Sequence, residues 1–233
     1  YAWIHQYSAD GNGFYNLYNV SDQIDLQNFT EQELAFGKVD GKLNAIPITF
    51  NALTFYYNKT ILDRYHLSVP KTWEDLFAAA RVLRKDGIYV LGTMEKQLFL
   101  LFAAYYSQTT GKEMVDAQGN LSLTKKEIRY IMDFYNRLVS EKVLMPLEKF
   151  DRNAFSTGKT AAALGWVSDA GNYCEPTEQA GYKTMIGDYI CAKKAKKFGW
   201  YVKPATMYAI SPITEHPKEA AKLFNYLLND KDM

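Results

Sequence analysis

The chain has 233 residues, enough for one large hydrophobic core or two modest ones, since a single core stops growing near roughly 250 residues. It is 48% hydrophobic and 23% charged with a formal net charge of +1, so it lacks the basic excess that nucleic-acid backbones or anionic membranes demand, and no nucleic-acid partner is expected. Aromatic residues reach 15%, and tyrosine and tryptophan in such number often line amphipathic binding surfaces.

The sequence carries no motif of catalysis or metal binding. It has three histidines and no GxSxG, HExxH or P-loop pattern, so no cofactor and no metal are expected. Cys174 and Cys191 are too far apart for a CxxC redox or zinc pattern, and a disulfide and two free thiols both stay open. The chain begins at Tyr1 without a signal peptide or a membrane-spanning run, which is typical of an excised or processed piece.

The first part of the chain is polar and rich in turns. Residues 1–4 are predicted to form the end of a strand that delivers Trp3 into a loop. Thr30, with acidic residues directly after it, predicts the N-cap of a short helix that ends by Gly37.

Residues 41–59, GKLNAIPITFNALTFYYNK, are predicted to cross between two structural bodies. Two strand-like runs, residues 43–49 and 53–57, flank a polar break at Asn51-Ala52. The chain before the crossing is polar, whereas long amphipathic helices follow it.

An α/β pattern follows the crossing. Thr72 and Asp75 have the spacing of a capping box before a helix that Gly87 closes, and residues 88–91 read as a brief strand. Glu95 lies at the next strand-to-helix junction, where open α/β sheets place ligand-binding groups. The alternative is that Glu95 only stabilises the start of a helix.

The clearest helix of the chain begins at Thr124. Its apolar residues keep the three-and-four spacing of a core face, so we expect them to pack. They are Ile128, Ile131, Met132, Tyr135, Leu138 and Val139.

Residues 160–166, TAAALGW, predict a strand of small residues that ends at an exposed position. Trp166 is therefore expected at a rim, with Asp169 and Asn172 in the next turn. An indole beside a carboxylate and an amide suits a sugar, whose apolar face packs on the ring while its hydroxyls bond the polar groups. The alternative is packing for Trp166 and a helix cap for Asp169.

The last part of the chain predicts a second crossing. The basic run at residues 193–197 reads as an exposed loop. Residues 206–211 read as a strand, and His216-Pro217 opens an amphipathic helix with Pro217 in its first turn.

Four segments together resemble a known family: DGKLNAIPITFNALTFYYNK, VPKTWEDL, AFSTGKTAAALGW and YAISPITEHPKEAAKLFNYLLND. They are similar to the extracellular solute-binding proteins of carbohydrate ABC importers, the group that includes maltodextrin-binding protein. The resemblance spans nearly the whole chain in the family's order. It implies an α/β fold of the periplasmic-binding-protein-like type II class, with two lobes joined by hinge strands and a sugar held in the cleft between them.

The resemblance also implies lobe boundaries. Residues 1–50 and 210–233 would belong to the first lobe and residues 51–209 to the second, with hinge strands at about 49–54 and 206–211. The family is longer at both ends, so the first lobe would be incomplete in this chain.

Carried over position by position, the resemblance implies ligand contacts. Asn51 falls where maltodextrin-binding protein has a hinge carboxylate, which keeps hydrogen bonding but removes charge. Glu95 matches a glutamate of the cleft, and Trp166 matches the tryptophan that stacks on a sugar ring. The other matched positions are Trp3 and His5 and, more loosely, Asp169, Trp200, Tyr201 and Lys203.

The implied role is binding rather than catalysis. Hinge bending would close the lobes over a carbohydrate, and the permease subunits of an ABC transporter would recognise the closed form. A monomer is expected, on the extracellular face of the cell membrane and lipid-anchored through a segment outside this chain, or in the periplasm of a Gram-negative cell.

Two other functions stay open at this point. A glycoside hydrolase would use Glu95 and Asp169 as acid and nucleophile, with their carboxyls about 5 to 9.5 Å apart. The same fold binding a polyamine would need several carboxylates around an aromatic box.

Overall fold

The computed structural model describes residues 2–116 and 120–231, without the side chains of Ala2 and Trp3. The chain divides into two compact units, which we call unit 1 (Tyr1–Asn51 and Val202–Met233) and unit 2 (Ala52–Tyr201). The chain therefore returns from unit 2 to unit 1 between residues 201 and 202, ahead of the expected lobe boundary at residues 209/210.

Unit 1 begins with a helix where the sequence predicted a strand. That prediction was wrong, because residues 2–7 form helix α1 (Ala2–Tyr7). The next elements are a short 3-10 helix, Leu17–Val20, helix α2 (Glu31–Ala35), and strands β1 (Lys38–Val39) and β2 (Lys42–Leu43). The Thr30 cap is confirmed, since its hydroxyl accepts from the Glu33 N–H at 3.2 Å.

The crossing is one unbroken strand, β3 (Ile46–Asn58). The predicted break at Asn51-Ala52 is therefore wrong. Backbone pairing with other strands, which local sequence does not reveal, keeps a polar residue extended in the middle of a strand. From Leu53 to Asn58 every residue of β3 is buried, whereas Thr49 and Phe50 are exposed.

The remaining helices and strands follow in chain order. They are α3 (Lys59–Arg64), α4 (Trp73–Leu83), β4 (Tyr89–Thr93), α5 (Glu95–Thr110), α6 (Lys125–Ser140), α7 (Arg152–Ser156), β5 (Thr160–Trp166), α8 (Ala170–Gln179), β6 (Thr184–Gly187), β7 (Val202–Tyr208) and α9 (Pro217–Asn229).

The central sheet has the strand order β4-β5-β3-β6, and β7 also pairs with β3. β3 runs antiparallel to both β5 and β6. β4 and β5 are parallel, with Thr93 opposite Leu164. Parallel strands end at the same edge of a sheet, so the segments that follow β4 and β5 leave the sheet side by side.

Aromatic rings fill the core of unit 2. The Trp73 ring stacks on the Trp200 ring at 5.9 Å between centroids, and Phe55 meets Trp200 edge-on at 5.2 Å. Trp200 is 6% exposed, and its indole N–H donates to the Ile190 carbonyl at 2.8 Å. Trp200, a sequence-based candidate for the ligand site, therefore lies in the hydrophobic core.

A buried amide, Gln108, ties this core to the loop before Tyr201. Its Oε1 accepts from the Trp73 indole N–H at 2.8 Å and from the Ala192 N–H at 3.0 Å. Its Nε2 donates to the carbonyls of Ile190 at 3.1 Å and Phe198 at 2.9 Å. Gln108 has no exposed surface, and these four hydrogen bonds go to other groups of unit 2, of which the Ile190 carbonyl also accepts from a second donor, the Trp200 indole N–H.

The buried face of helix α6 differs from the apolar face predicted from the sequence. Ile128 and Met132 are each 44% exposed, whereas Phe134, which the spacing left out, is buried against Trp73 and Tyr105. The core-facing stripe is therefore rotated toward Ile131, Phe134 and Leu138.

The core of unit 1 is mainly aliphatic. Leu17, Leu43 and Ile46 pack with Ile210 and with the buried face of α9.

Both cysteines are free thiols, so the disulfide alternative is excluded. Within residues 2–116 and 120–231, the structure contains no helix with the length and apolar character needed to cross a bilayer.

Replacing Gln108 by Ala should lower the free energy of unfolding by about 2 to 4 kcal/mol, because the Trp73 indole N–H, the Ala192 N–H and the Phe198 carbonyl lose their partner and a buried side chain is truncated. Urea denaturation followed by circular dichroism measures this. Gln179→Ala, at an exposed position at the end of α8, is the matched control and should change stability by less than about 0.5 kcal/mol. Equal losses in both variants would contradict the role given to Gln108.

Candidate functional site

The carboxyl edge shared by β4 and β5 gathers most of the unit 2 candidates. Glu95 is the first residue of α5, directly after β4, and Trp166 is the last residue of β5. The Thr93 hydroxyl donates to the Leu164 carbonyl at 3.2 Å and joins the two strand ends. The Lys96 ammonium lies 5.9 Å from the centre of the Trp166 ring, so the first turn of α5 reaches the indole.

A cavity of about 560 Å³ opens at this edge. A third segment contributes to it, because Leu144 bridges to Leu91 in parallel and the chain then turns into residues 147–149. The cavity carries two carboxylates and one ammonium group. Its lining residues are Met94, Glu95, Lys96, Leu147 and Glu148.

Trp166 and Tyr201 form an exposed aromatic pair. Their ring centres lie 6.2 Å apart at an interplanar angle of 66°. Trp166 is half-buried and Tyr201 is 37% exposed, so the pair presents ring surface to solvent. Edge-to-face rings of this kind hold each other in place and leave a face available for packing.

Tyr56 holds the backbone at Trp166. Its hydroxyl donates to the Trp166 carbonyl at 2.6 Å and to the Val167 carbonyl at 3.3 Å. The Tyr56 ring stacks on Tyr173 with 4.8 Å between centroids. Burial, with the nearby Cys174 and Asp169 as smaller causes, raises the pKa of Tyr56 above its ordinary value, so the hydroxyl keeps its proton and stays a donor at neutral pH.

Asp169 pairs with an arginine that the sequence did not single out. The Arg152 Nη2 lies 3.5 Å from the Asp169 carboxylate, and the guanidinium carbon lies 5.5 Å from the centre of the Tyr173 ring. Asp169 occupies the N-cap position of α8 without a side-chain capping hydrogen bond. The helix-cap alternative for its side chain is therefore excluded.

Gly165 lets these rings approach β5. A Cβ at this position would lie 2.6 Å from Cε2 of Tyr173 and 3.2 Å from Cε2 of Tyr56. Glycine at the strand end is thus a packing requirement, because no larger residue fits without displacing both tyrosines.

The other candidates lie in unit 1. His5 is exposed on α1, and Asn51 and Lys203 are half-buried on β3 and β7. The backbone of Trp3 belongs to α1, and its side chain lies outside the described residues.

Sequence reasoning missed Tyr56, Lys96, Glu148 and Arg152. Lys96 had a signal, since it directly follows Glu95. Tyr56 looked like any apolar strand residue, and nothing in the pattern around residues 148–152 pointed to the strand edge. Among the described residues, no group of three or more histidine, cysteine, aspartate or glutamate side chains is placed to hold a metal ion.

The chain belongs to the family of bacterial extracellular solute-binding proteins, whose model matches residues 5–233. Among curated relatives, the maltodextrin-binding protein MdxE of Bacillus subtilis is 27% identical over 222 residues, covering 88% of this chain and 50% of its own length. The multiple sugar-binding protein of Streptococcus mutans is 25% identical over 241 residues, covering 94% of this chain and 54% of its own length. The chain thus spans about half the length of these relatives.

Solved structures give the same fold. A periplasmic oligogalacturonide-binding protein from Yersinia enterocolitica aligns with a TM-score of 0.88 and 31% identity, over 99% of this chain and 60% of that one. The de novo designed cysteine esterase ECH19 aligns with a TM-score of 0.91 and 30% identity over the same shares. The predicted α/β, periplasmic-binding-protein-like type II fold is confirmed, and the natural relatives named here are binding proteins.

Gly165→Ala should destabilise the protein by about 1 to 3 kcal/mol, since the added methyl group collides with the ring of Tyr173. Gly171→Ala, in α8, is the control, because its Cβ would meet only the end of the Glu175 side chain at 3.3 Å. It should be neutral or stabilising by up to about 1 kcal/mol. Thermal unfolding of both variants measures the difference, and a Gly165→Ala protein as stable as Gly171→Ala would disprove the packing argument.

Proposed function

We propose that the protein is the substrate-binding component of an ABC importer and captures a carbohydrate, with Trp166 and Tyr201 packing against a sugar ring. The observation that carries this proposal is the exposed aromatic pair at the carboxyl edge of a parallel strand pair, with Glu95 and Lys96 beside it. The family and the sugar-binding names of the relatives support it.

The chemistry of the edge suits a sugar. A pyranose has an apolar face of C–H groups, which packs on an indole, and a rim of hydroxyls, which both donate and accept hydrogen bonds. The carboxylates of Glu95 and Glu148 accept from hydroxyls, and the Lys96 ammonium donates to them. Stacking and hydroxyl bonding together commonly give dissociation constants of about 1 μM, near −8 kcal/mol.

The ligand proposed is an oligosaccharide. The relatives are named for maltodextrin, for multiple sugars and for oligogalacturonide, so the family resemblance favours a chain of sugars over a single ring. His5, Asn51 and Lys203 are proposed as further ligand contacts, as is Trp3. Asp169 is a weaker candidate, because Arg152 already engages its carboxylate.

A polyamine is the less favoured ligand. Aromatic cages bind cations with ring faces and carboxylates. Here the Lys96 ammonium already lies beside the Trp166 ring and would repel a second cation. The hydrolase alternative loses support as well, because one of its two carboxylates, Asp169, is paired with Arg152.

The partners and location proposed follow from membership in the family. Permease subunits of an ABC transporter would receive the sugar from the protein, which would act as a monomer without a cofactor. We place it on the extracellular side of the membrane, lipid-anchored, or in the periplasm of a Gram-negative cell.

Isothermal titration of the full-length protein against maltotriose, digalacturonic acid and spermidine tests the ligand class. At least one sugar should bind with a dissociation constant of about 1 μM, and Trp166→Ala should weaken it about 30-fold, as expected for loss of roughly 2 kcal/mol at an aromatic anchor. Tyr130→Ala removes an aromatic ring exposed on α6 and should leave affinity unchanged. Binding of spermidine with silence toward every sugar would overturn the proposal.

Asn51→Ala tests the proposed contact on β3. Loss of one amide hydrogen bond to the ligand should weaken sugar binding about fivefold while the protein still folds. Asn19→Ala, at an exposed position of unit 1, is the matched control and should bind like the wild type. An unaltered affinity in Asn51→Ala would show that Asn51 is part of the strand only and does not contact the ligand.

A further inference from the structure

We propose that Tyr56 is the positioning residue of the site: its hydroxyl fixes the strand end that carries Trp166 and thereby sets the orientation of the indole. The effect on ligand affinity rests on the proposed function. The positioning itself concerns only unit 2 and can be measured without a ligand.

The strand end needs an anchor. Leu53 and Trp166 are the terminal pair of the β3–β5 ladder, and after Trp166 the chain turns into the 3-10 helix Val167–Asp169. At this change of direction the carbonyls of Trp166 and Val167 both accept from the one Tyr56 hydroxyl, at 2.6 and 3.3 Å. A donor shared between consecutive carbonyls fixes the peptide plane between them, and with it the direction in which the Trp166 side chain leaves the backbone.

The Tyr56 ring, which carries the hydroxyl, is itself held in place by its neighbours. It is fully buried and stacks on Tyr173 at 17° between the ring planes. Gly165 packs against both rings, and a Cβ added at this position would lie 3.2 Å from Cε2 of Tyr56. Beyond Tyr173, the Arg152 guanidinium approaches the ring and pairs with Asp169.

This arrangement gives Asp169 and Arg152 a role other than ligand contact. Asp169 ends the 3-10 helix that begins one residue after Trp166, and Arg152 belongs to α7. Their ion pair joins that helix to α7 across the Tyr173 ring. Tyr56 bonds the start of the turn, and Asp169 at its end pairs with Arg152 beside Tyr173, the ring on which Tyr56 stacks. The turn is therefore restrained at both ends and has little freedom to reorient the Trp166 indole.

Tyr57 supplies a matched control on the same strand. It is as fully buried as Tyr56, and its hydroxyl donates to the Pro70 carbonyl at 3.5 Å. Successive residues of a strand point to opposite faces, so the Tyr57 hydroxyl lies away from Trp166. Tyr56→Phe and Tyr57→Phe therefore remove the same atom from equally buried rings, and only the first removes it from the Trp166 turn.

The first measurement is acrylamide quenching of tryptophan fluorescence in the full-length protein. Subtracting the signal of a matched Trp166→Phe protein isolates Trp166 and removes the contributions of the other tryptophans. The quenching constant of Trp166 should rise in Tyr56→Phe and stay at the wild-type value in Tyr57→Phe. An unchanged constant in Tyr56→Phe, or an equal rise in both variants, would overturn the proposal whether or not a sugar binds.

The second measurement is a double-mutant cycle on sugar affinity. Tyr56→Phe should weaken binding about fivefold in the wild-type background, a loss typical of one hydrogen bond, and by less than about twofold in the Trp166→Ala background. A residue that acts through Trp166 has nothing left to act on once the indole is gone. An equal loss in both backgrounds would show that Tyr56 acts on stability or on the ligand directly, and would refute the positioning role.

Discussion

The parallel pairing of β4 with β5 is the constraint on which the site depends. Because both strands end at the same edge, the first turn of α5 and the indole of Trp166 emerge side by side, although some seventy positions separate them in the chain, as the Lys96 contact with the Trp166 ring shows. An antiparallel pair would send one of the two segments to the opposite edge. The charged turn and the aromatic ring would then never meet.

Small residues make this edge possible. Gly92 accommodates the Phe150 ring, which a Cβ would approach to 2.0 Å, and Gly165 accommodates Tyr173 and Tyr56. The 15% of aromatic residues in the sequence therefore divides between rings that fill the core, such as Trp200, and rings presented at the edge. Composition alone does not distinguish the two groups.

The sequence predicted features that depend on local chemistry. The N-caps predicted at Thr30, Thr72 and Thr124 all form, and each is a capping box, which needs only a hydroxyl and a carboxylate three residues apart. Features that depend on distant contacts were missed. Asn51 stays within β3 because that strand pairs with β5, β6 and β7, and Trp200 is buried by rings from α4 and β3 that are remote in sequence. The Tyr56 hydroxyl was invisible for the same reason: its partner lies 110 residues away.

The Lys96 ammonium lies 5.9 Å from the centre of the Trp166 ring, beside the surface on which a ligand ring would pack. A cation beside an exposed indole contributes about 0.5 to 1 kcal/mol, which is small against the roughly 8 kcal/mol of a micromolar complex. Under the proposed function, a sugar ring would displace the ammonium from the Trp166 face at this small cost, and the ammonium would donate to hydroxyls of the same ligand. This exchange would cost little because Lys96 is exposed. The Tyr56 hydroxyl bonds the backbone carbonyl of Trp166, so under the proposed function the lysine would adapt to the ligand while the indole would set where the ligand lies.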